Sequence, residues 1–303
     1  MHSHTHAFEN EPHTHNQGKH SDRPFVMGIL FNLIYVGFEM YYGYFSNSLS
    51  LIADAWHNLG DVAGLGVSLF AMRMAAIKPN KKYTYGFSKG TILASLFNAV
   101  ILLIAVGSIG YEAVHRFFHS QVAQWQTISI IATLGIVINA ATAFLFINKS
   151  ELNSKAAFLH MAADAGVSAG VVLGGFLLKW TGFEWIDPLI SLLICFVILS
   201  GTWKILRNSF RLSLDGVPSN IDLEAVKQLA LSIPNVKDIH HIHIWAMSTT
   251  KNALTAHLLL QSPMQESETV KLKENIKHAL YHINIQHATL ELELEHTDDC
   301  EEC

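Results

Sequence analysis

The chain has 303 residues, half of them hydrophobic and 15% charged, with a mean hydropathy of +0.27 and a formal net charge of −5. Soluble globular domains are more polar than this, so the composition selects a membrane protein, and no nucleic-acid partner is expected of it. Its three cysteines, Cys195 in an apolar run and a terminal C-x-x-C of Cys300 and Cys303, are too few for a secreted disulfide framework and suit a reducing compartment.

Residues 1–24 form a polar arm with six histidines (His2, His4, His6, His13, His15, His20), a biased tract that suits weak metal binding or is merely a polar tail. It has no apolar core before Phe25 and no small-residue cleavage pattern, so it does not read as a removable secretory signal. Six apolar stretches follow, near 25–46, 49–72, 88–112, 126–147, 156–178 and 186–205. Each reaches the roughly 20 residues that cross a hydrocarbon layer of about 30 Å. Residues 25–210 therefore predict an all-α, six-helix transmembrane domain in the lipid bilayer. Twelve Lys and Arg residues fall on the side of the two termini, against Arg116 and Lys179 alone on the other. By the positive-inside rule both termini are expected in the cytoplasm.

The remaining segment, 211–303, has an ordinary soluble charge density. It reads helix Asp222 to Leu231, strand Val236 to Trp245, strand Ala253 to Leu260, helix Ser267 to His282 and strand Thr289 to Glu295. Alternation of Leu290, Leu292 and Leu294 with Glu291, Glu293 and Glu295 marks a strand with one buried face. The order αββαβ predicts an α+β, ferredoxin-like fold.

Ionisable residues within the spans are the sharpest signal, because each costs several kcal/mol in hydrocarbon unless it faces a cavity or a partner. Asp54, His57 and Asp61 share one helical face of the second span, and His160 and Asp164 lie one turn apart in the fifth. The pattern H-x-x-x-D thus occurs twice. Two helices that each present one His and one Asp can close a cage of two nitrogens and two oxygens, a set that suits tetrahedral Zn²⁺ better than hard, six-coordinate ions. Asp54 reads as a supporting or proton-carrying group. The nearby Gly60, Gly64, Gly66, Gly166, Gly170, Gly174 and Gly175 suit close helix packing or helix movement.

At these residues the sequence resembles the cation diffusion facilitator family, in its zinc-preferring branch. The shared pieces are E-x-x-x-G and S-x-S-L within Glu39 to Leu49, D-A-x-H-x-x-x-D from Asp54 to Asp61, and Y-G-F at Tyr85 to Phe87. Further on come A-A-F-L-H-x-x-x-D from Ala156 to Asp164, W-I-D-P from Trp185 to Pro188, and H-x-x-H-I-W from His240 to Trp245. The resemblance implies a homodimer that exports Zn²⁺ in exchange for H⁺ by alternating access, with His57, Asp61, His160 and Asp164 as transport ligands. It also implies a regulatory zinc site at His240, His257 and Glu293, with Cys300 and Cys303 matching a terminal C-x-x-C of some members. His241 and His243 read as exposed or packing residues. The chain departs from several relatives in lacking a histidine-rich loop between spans four and five; its histidines lie in the N-terminal arm instead.

The transported ions aside, no cofactor is expected, and no enzymatic role: four protein ligands leave zinc no open position, and no general base stands apart from them. The alternatives are a passive divalent-cation channel, a membrane-anchored zinc sensor, or a transporter of wider range that includes Cd²⁺ or Co²⁺. The short loops lean towards a bacterial inner membrane.

Overall fold

The computed structural model describes residues 23–75, 77–119, 121–144 and 152–295, with side chains except at 23–29, 65, 68–69, 71–72, 75 and 152–160. The histidines of the N-terminal arm and the pair Cys300 and Cys303 lie outside the described residues. Six long helices come first: α1 (Arg23–Phe45), α2 (Leu49–Ala75), α3 (Gly90–Phe118), α4 (Trp125–Phe144), α5 (Leu152–Thr181) and α6 (Ile186–Ser213). Among the described residues, α3, α4, α6 and the Met161–Thr181 stretch of α5 have both the length and the hydropathy to cross a membrane.

α3 and α6 outrun their expected ends at 112 and 205. At 1.5 Å per residue the 28 residues of α6 span about 42 Å, more than the apolar layer requires. Its last turns, past residue 205, carry Arg207 and Arg211.

The helices invert the polarity of a soluble fold. Glu39, Asp54, Asn139 and Ser168 are wholly buried, whereas Phe97, Ile104, Leu173 and Phe196 are exposed around the perimeter. A chain that crosses a membrane has this distribution, since lipid solvates its apolar rim and polar groups must find partners inside. Between them runs an apolar core that includes Tyr35, Leu51, Ile128, Val171 and Ile198.

α3 lies along α6 and α4 along α5, while α2 touches each of the other five and is the hub of the bundle. Its N-terminus is fixed from a distance: the Asp187 carboxylate, in the first turn of α6, accepts hydrogen bonds from the N–H groups of Leu49 (2.7 Å) and Ser50 (3.2 Å) and from the Ser48 hydroxyl (2.7 Å) and the Ser50 hydroxyl. Those N–H groups have no partner within their own helix, so a buried carboxylate there satisfies them and meets the positive end of the helix dipole. The turn into α6 follows from Gly182, which takes φ 66° and closes its N–H onto Leu178 O to end α5.

The C-terminal unit is α7 (Leu223–Leu231), β1 (Val236–Ala246), β2 (Asn252–Leu260), α8 (Glu266–His282) and β3 (His287–Glu293), the αββαβ order read from sequence. Asp222 caps α7 by accepting from Glu224 N, and Gln265 with Glu268 forms a capping box at α8. β1 pairs antiparallel with β2, and β2 parallel with β3, in the order β1-β2-β3. Alternate residues of β2, namely Leu254, Ala256, Leu258 and Leu260, pack with Val226 of α7 and Ile276 of α8 in one core. The intervening residue His257 lies on the other face. β3 ends at Glu293, so Leu294, expected in the buried row, is 53% exposed. Contacts between this unit and the membrane domain include the Thr249 N–H, which donates to Thr91 Oγ1 at 3.1 Å, the packing of Ala246 with Ile92 and Leu212, and the edge-to-face approach of the Tyr85 and His287 rings at 5.8 Å.

Candidate metal-binding sites

Because α2 is the hub, its polar face looks onto α5. Gly60 brings α3 close at this level, since a Cβ there would stand 2.8 Å from Leu102. Gly64, Gly66, Gly166 and Gly170 have no such neighbour, so close packing accounts for only some of the glycines singled out in the sequence. His57 Nε2 lies 3.4 Å from Asp164 Oδ1, and His57 Nδ1 lies 3.7 Å from Asp61 Oδ2. One ligand atom from each of the three residues fits within 4.8 Å of the others. Asp164 is 3% exposed, and His57 and Asp61 are part-buried. His160 lies in α5, one turn before Asp164, but its side chain is outside those described.

A polar layer that the sequence only partly disclosed backs the three. Ser168, one turn after Asp164, donates to Asp54 Oδ2 at 2.9 Å. Asn58, next to His57, donates to Glu39 Oε2 at 3.2 Å, and the Tyr35 hydroxyl donates to Glu39 Oε1 at 2.8 Å. Spacing of four from Asp164 and four from Glu39 would have flagged Ser168 and Tyr35. The same spacing from Asp54 would have flagged Asn58.

His57 and Asp61 also line a cavity of about 670 Å³ between α2, α3 and α6. Asn98, Ser95 and Thr91 mark its wall along successive turns of α3, and Thr249 of the β1–β2 turn stands at its end. The cavity thus runs from His57 and Asp61 towards the C-terminal unit.

In that unit the three strands bring His240, His257 and Glu293 together. His240 pairs directly with His257 across β1 and β2, and Glu293 follows two residues after Glu291, the β3 partner of His257. His240 Nε2 lies 3.1 Å from Glu293 Oε2, and His257 Nδ1 lies 2.6 Å from Glu293 Oε1. Their ligand atoms again fit within 4.8 Å. A carboxylate held between two imidazoles, with the Glu293 side chain only 10% exposed, supplies a donor set that fits Zn²⁺. Glu291 approaches the second nitrogen of His257 at 3.5 Å. His243 is exposed, and His241 is half-buried and packs beside the other rings.

Comparison with known proteins covers nearly the whole chain. Residues 25–212 match the family model of the cation efflux transmembrane domain, and residues 218–295 that of the cytoplasmic domain of cation efflux proteins. The chain is 32% identical to zinc transporter ZitB of Pectobacterium atrosepticum over 95% of its own length and 90% of the relative's. It is 31% identical to a cadmium, cobalt and zinc/H(+)-K(+) antiporter of Bacillus subtilis, over 93% and 92%. To the metal cation efflux system protein CzcD of Cupriavidus metallidurans it is 32% identical, over 93% and 90%.

Proposed function

This chain belongs to the cation efflux family, the cation diffusion facilitators, and on that premise we propose that it carries Zn²⁺ out of the cytoplasm in exchange for H⁺. The observation that carries the reading is the convergence of His57, Asp61 and Asp164 from two helices within the bundle, the first two lining a cavity that runs towards the C-terminal unit. His160, one turn from Asp164 on α5, is assigned as the fourth ligand. The role is transport, with no bond made or broken in a substrate.

The chemistry of the ligands gives the coupling. An imidazole nitrogen holds a proton or a metal ion, never both, so loading Zn²⁺ releases protons to the cytoplasmic side. After the bundle reorients, protons from the far side displace the ion, and the protonated site returns. Names of relatives that include zinc transporters and a zinc/H(+)-K(+) antiporter support this assignment.

The same reading places 1–24 and 211–303 in the cytoplasm of a bacterial inner membrane, with 25–210 as the transport unit of a homodimer. The excess of Lys and Arg on the terminal side and the bacterial source of the relatives support it. Zn²⁺ held by His240, His257 and Glu293, with Cys300 and Cys303 in reach of the resemblance, makes the cytoplasmic unit regulatory.

The test is zinc flux into proteoliposomes loaded with a zinc indicator and a pH dye. Saturable uptake with opposite proton movement, both lost in Asp164→Ala, is expected. Equal flux in the two proteins removes the membrane site from the mechanism, and zinc uptake that leaves the pH dye still refutes exchange.

A further inference from the structure

We propose that His241 is a fourth ligand of the cytoplasmic metal site, carried into it by a bulge in β1. The inference rests on the reading of His240, His257 and Glu293 as a Zn²⁺ site and adds a residue that neither the sequence motifs nor the strand pattern assign.

The register shows how it gets there. His240 stands opposite His257, but the next paired residue of β1, His243, stands opposite Thr255. β1 thus advances three residues while β2 advances two, which is the signature of one inserted residue. His241 takes φ 48°, in the left-handed region that residues other than glycine occupy at a cost. In a regular strand the residue after His240 would point to the opposite face, into the core beneath α7 and α8. The bulge turns it back. Its ring lies 5.3 Å from that of His240 and 5.1 Å from that of His257, so a third imidazole stands beside the group in which His240, His257 and Glu293 already bring their ligand atoms within 4.8 Å of one another.

The arrangement fits what the donor set lacks. Two nitrogens and one oxygen leave tetrahedral Zn²⁺ with one open position, the mark of a catalytic site, whereas a site that only binds and holds closes all four. Among the described residues, a third imidazole closes it as His₃Glu. The unfavourable backbone of His241 then has a use, as strained and bulged residues beside ligands commonly do.

Full-length protein in detergent tests this with Co²⁺ as the probe, in an Asp164→Ala background that weakens the membrane site. Equilibrium dialysis and visible absorption are compared for His241→Asn, His241→Gly and His257→Ala. His257→Ala is expected to lose one bound Co²⁺ per chain. His241→Asn and His241→Gly both tolerate the left-handed backbone, so their melting temperatures without metal should be equal to or above that of the parent. Both should nonetheless bind Co²⁺ at least about tenfold more weakly, with loss of the intense d–d bands of a tetrahedral ion. Unchanged affinity and spectrum in both, while His257→Ala still loses the ion, overturn the role of His241 alone. Full Co²⁺ stoichiometry in His257→Ala overturns the site itself.

Discussion

His57 and Asp164 meet across α2 and α5, with 3.4 Å between Nε2 and Oδ1, and the other nitrogen of the same ring lies 3.7 Å from Asp61. One imidazole is therefore set between two carboxylates, and it supplies the softest donor among the described groups of this cluster. Replacing it by a carboxylate keeps a ligand but hardens the set. His57→Asp should still move divalent ions, with the ratio of Zn²⁺ to Mn²⁺ flux lowered at least about tenfold, a difference of about 1.4 kcal/mol. Paired flux measurements with the two ions check it; an unchanged ratio would show that this nitrogen does not select the metal.

Proton competition at the same ring fixes the sign of the pH dependence. As pH on the cytoplasmic side falls, protons occupy ligand nitrogens and Zn²⁺ binds more weakly. As pH rises and those nitrogens give up their protons, affinity should climb by up to tenfold per pH unit for each proton displaced. Equilibrium zinc binding to the detergent-solubilised protein between pH 5.5 and 8 reads this slope. A flat profile would mean that metal displaces no proton, and the exchange cycle would fail with it.

The residues proposed as membrane ligands stand out because a helix repeats its faces every three to four residues, so His57 with Asp61 and His160 with Asp164 recur at spacing four. The strands of the C-terminal unit were legible for the analogous reason at spacing two. What depends on distant contacts was not. Nothing local says that Asp187 reaches the first turn of α2, although the S-x-S-L and W-I-D-P pieces that meet there were both visible. The bulge at His241 escaped because alternation predicts that residue on the opposite face, and only the pairing of β1 with β2 shows the extra residue. Leu294 failed differently: the alternating pattern runs past Glu293, but the ladder that would bury it stops there.

The Asp187 clasp should contribute to stability as well as to position. Its carboxylate gathers two backbone N–H groups and two hydroxyls, all buried. Asp187→Ala leaves them without that acceptor, at a cost of about 1–3 kcal/mol per orphaned group in the worst case. Asp187→Asn keeps one oxygen acceptor and should lose less. Thermal unfolding in detergent should therefore rank wild type above Asn above Ala; an Ala variant that melts with wild type would show that Ser48 and Ser50 find other partners.

The last relationship concerns how the ion reaches its ligands. Asn98 lines the same cavity as His57 and Asp61, midway along the wall that continues through Ser95 and Thr91 to Thr249. A divalent ion sheds water only where other oxygens replace it, and a side-chain amide oxygen on that wall is such a replacement. Asn98→Leu keeps the branched shape and the number of side-chain heavy atoms but removes the polar group, which should slow zinc flux about fivefold, the effect of one lost hydrogen bond of about 1 kcal/mol. Because Asn98 is not among the ligands, equilibrium affinity for Zn²⁺ should stay as it is, and Asn98→Gln should recover much of the rate. Loss of affinity in step with flux would instead make Asn98 part of the binding site, and unchanged flux would show that the ion approaches along another wall.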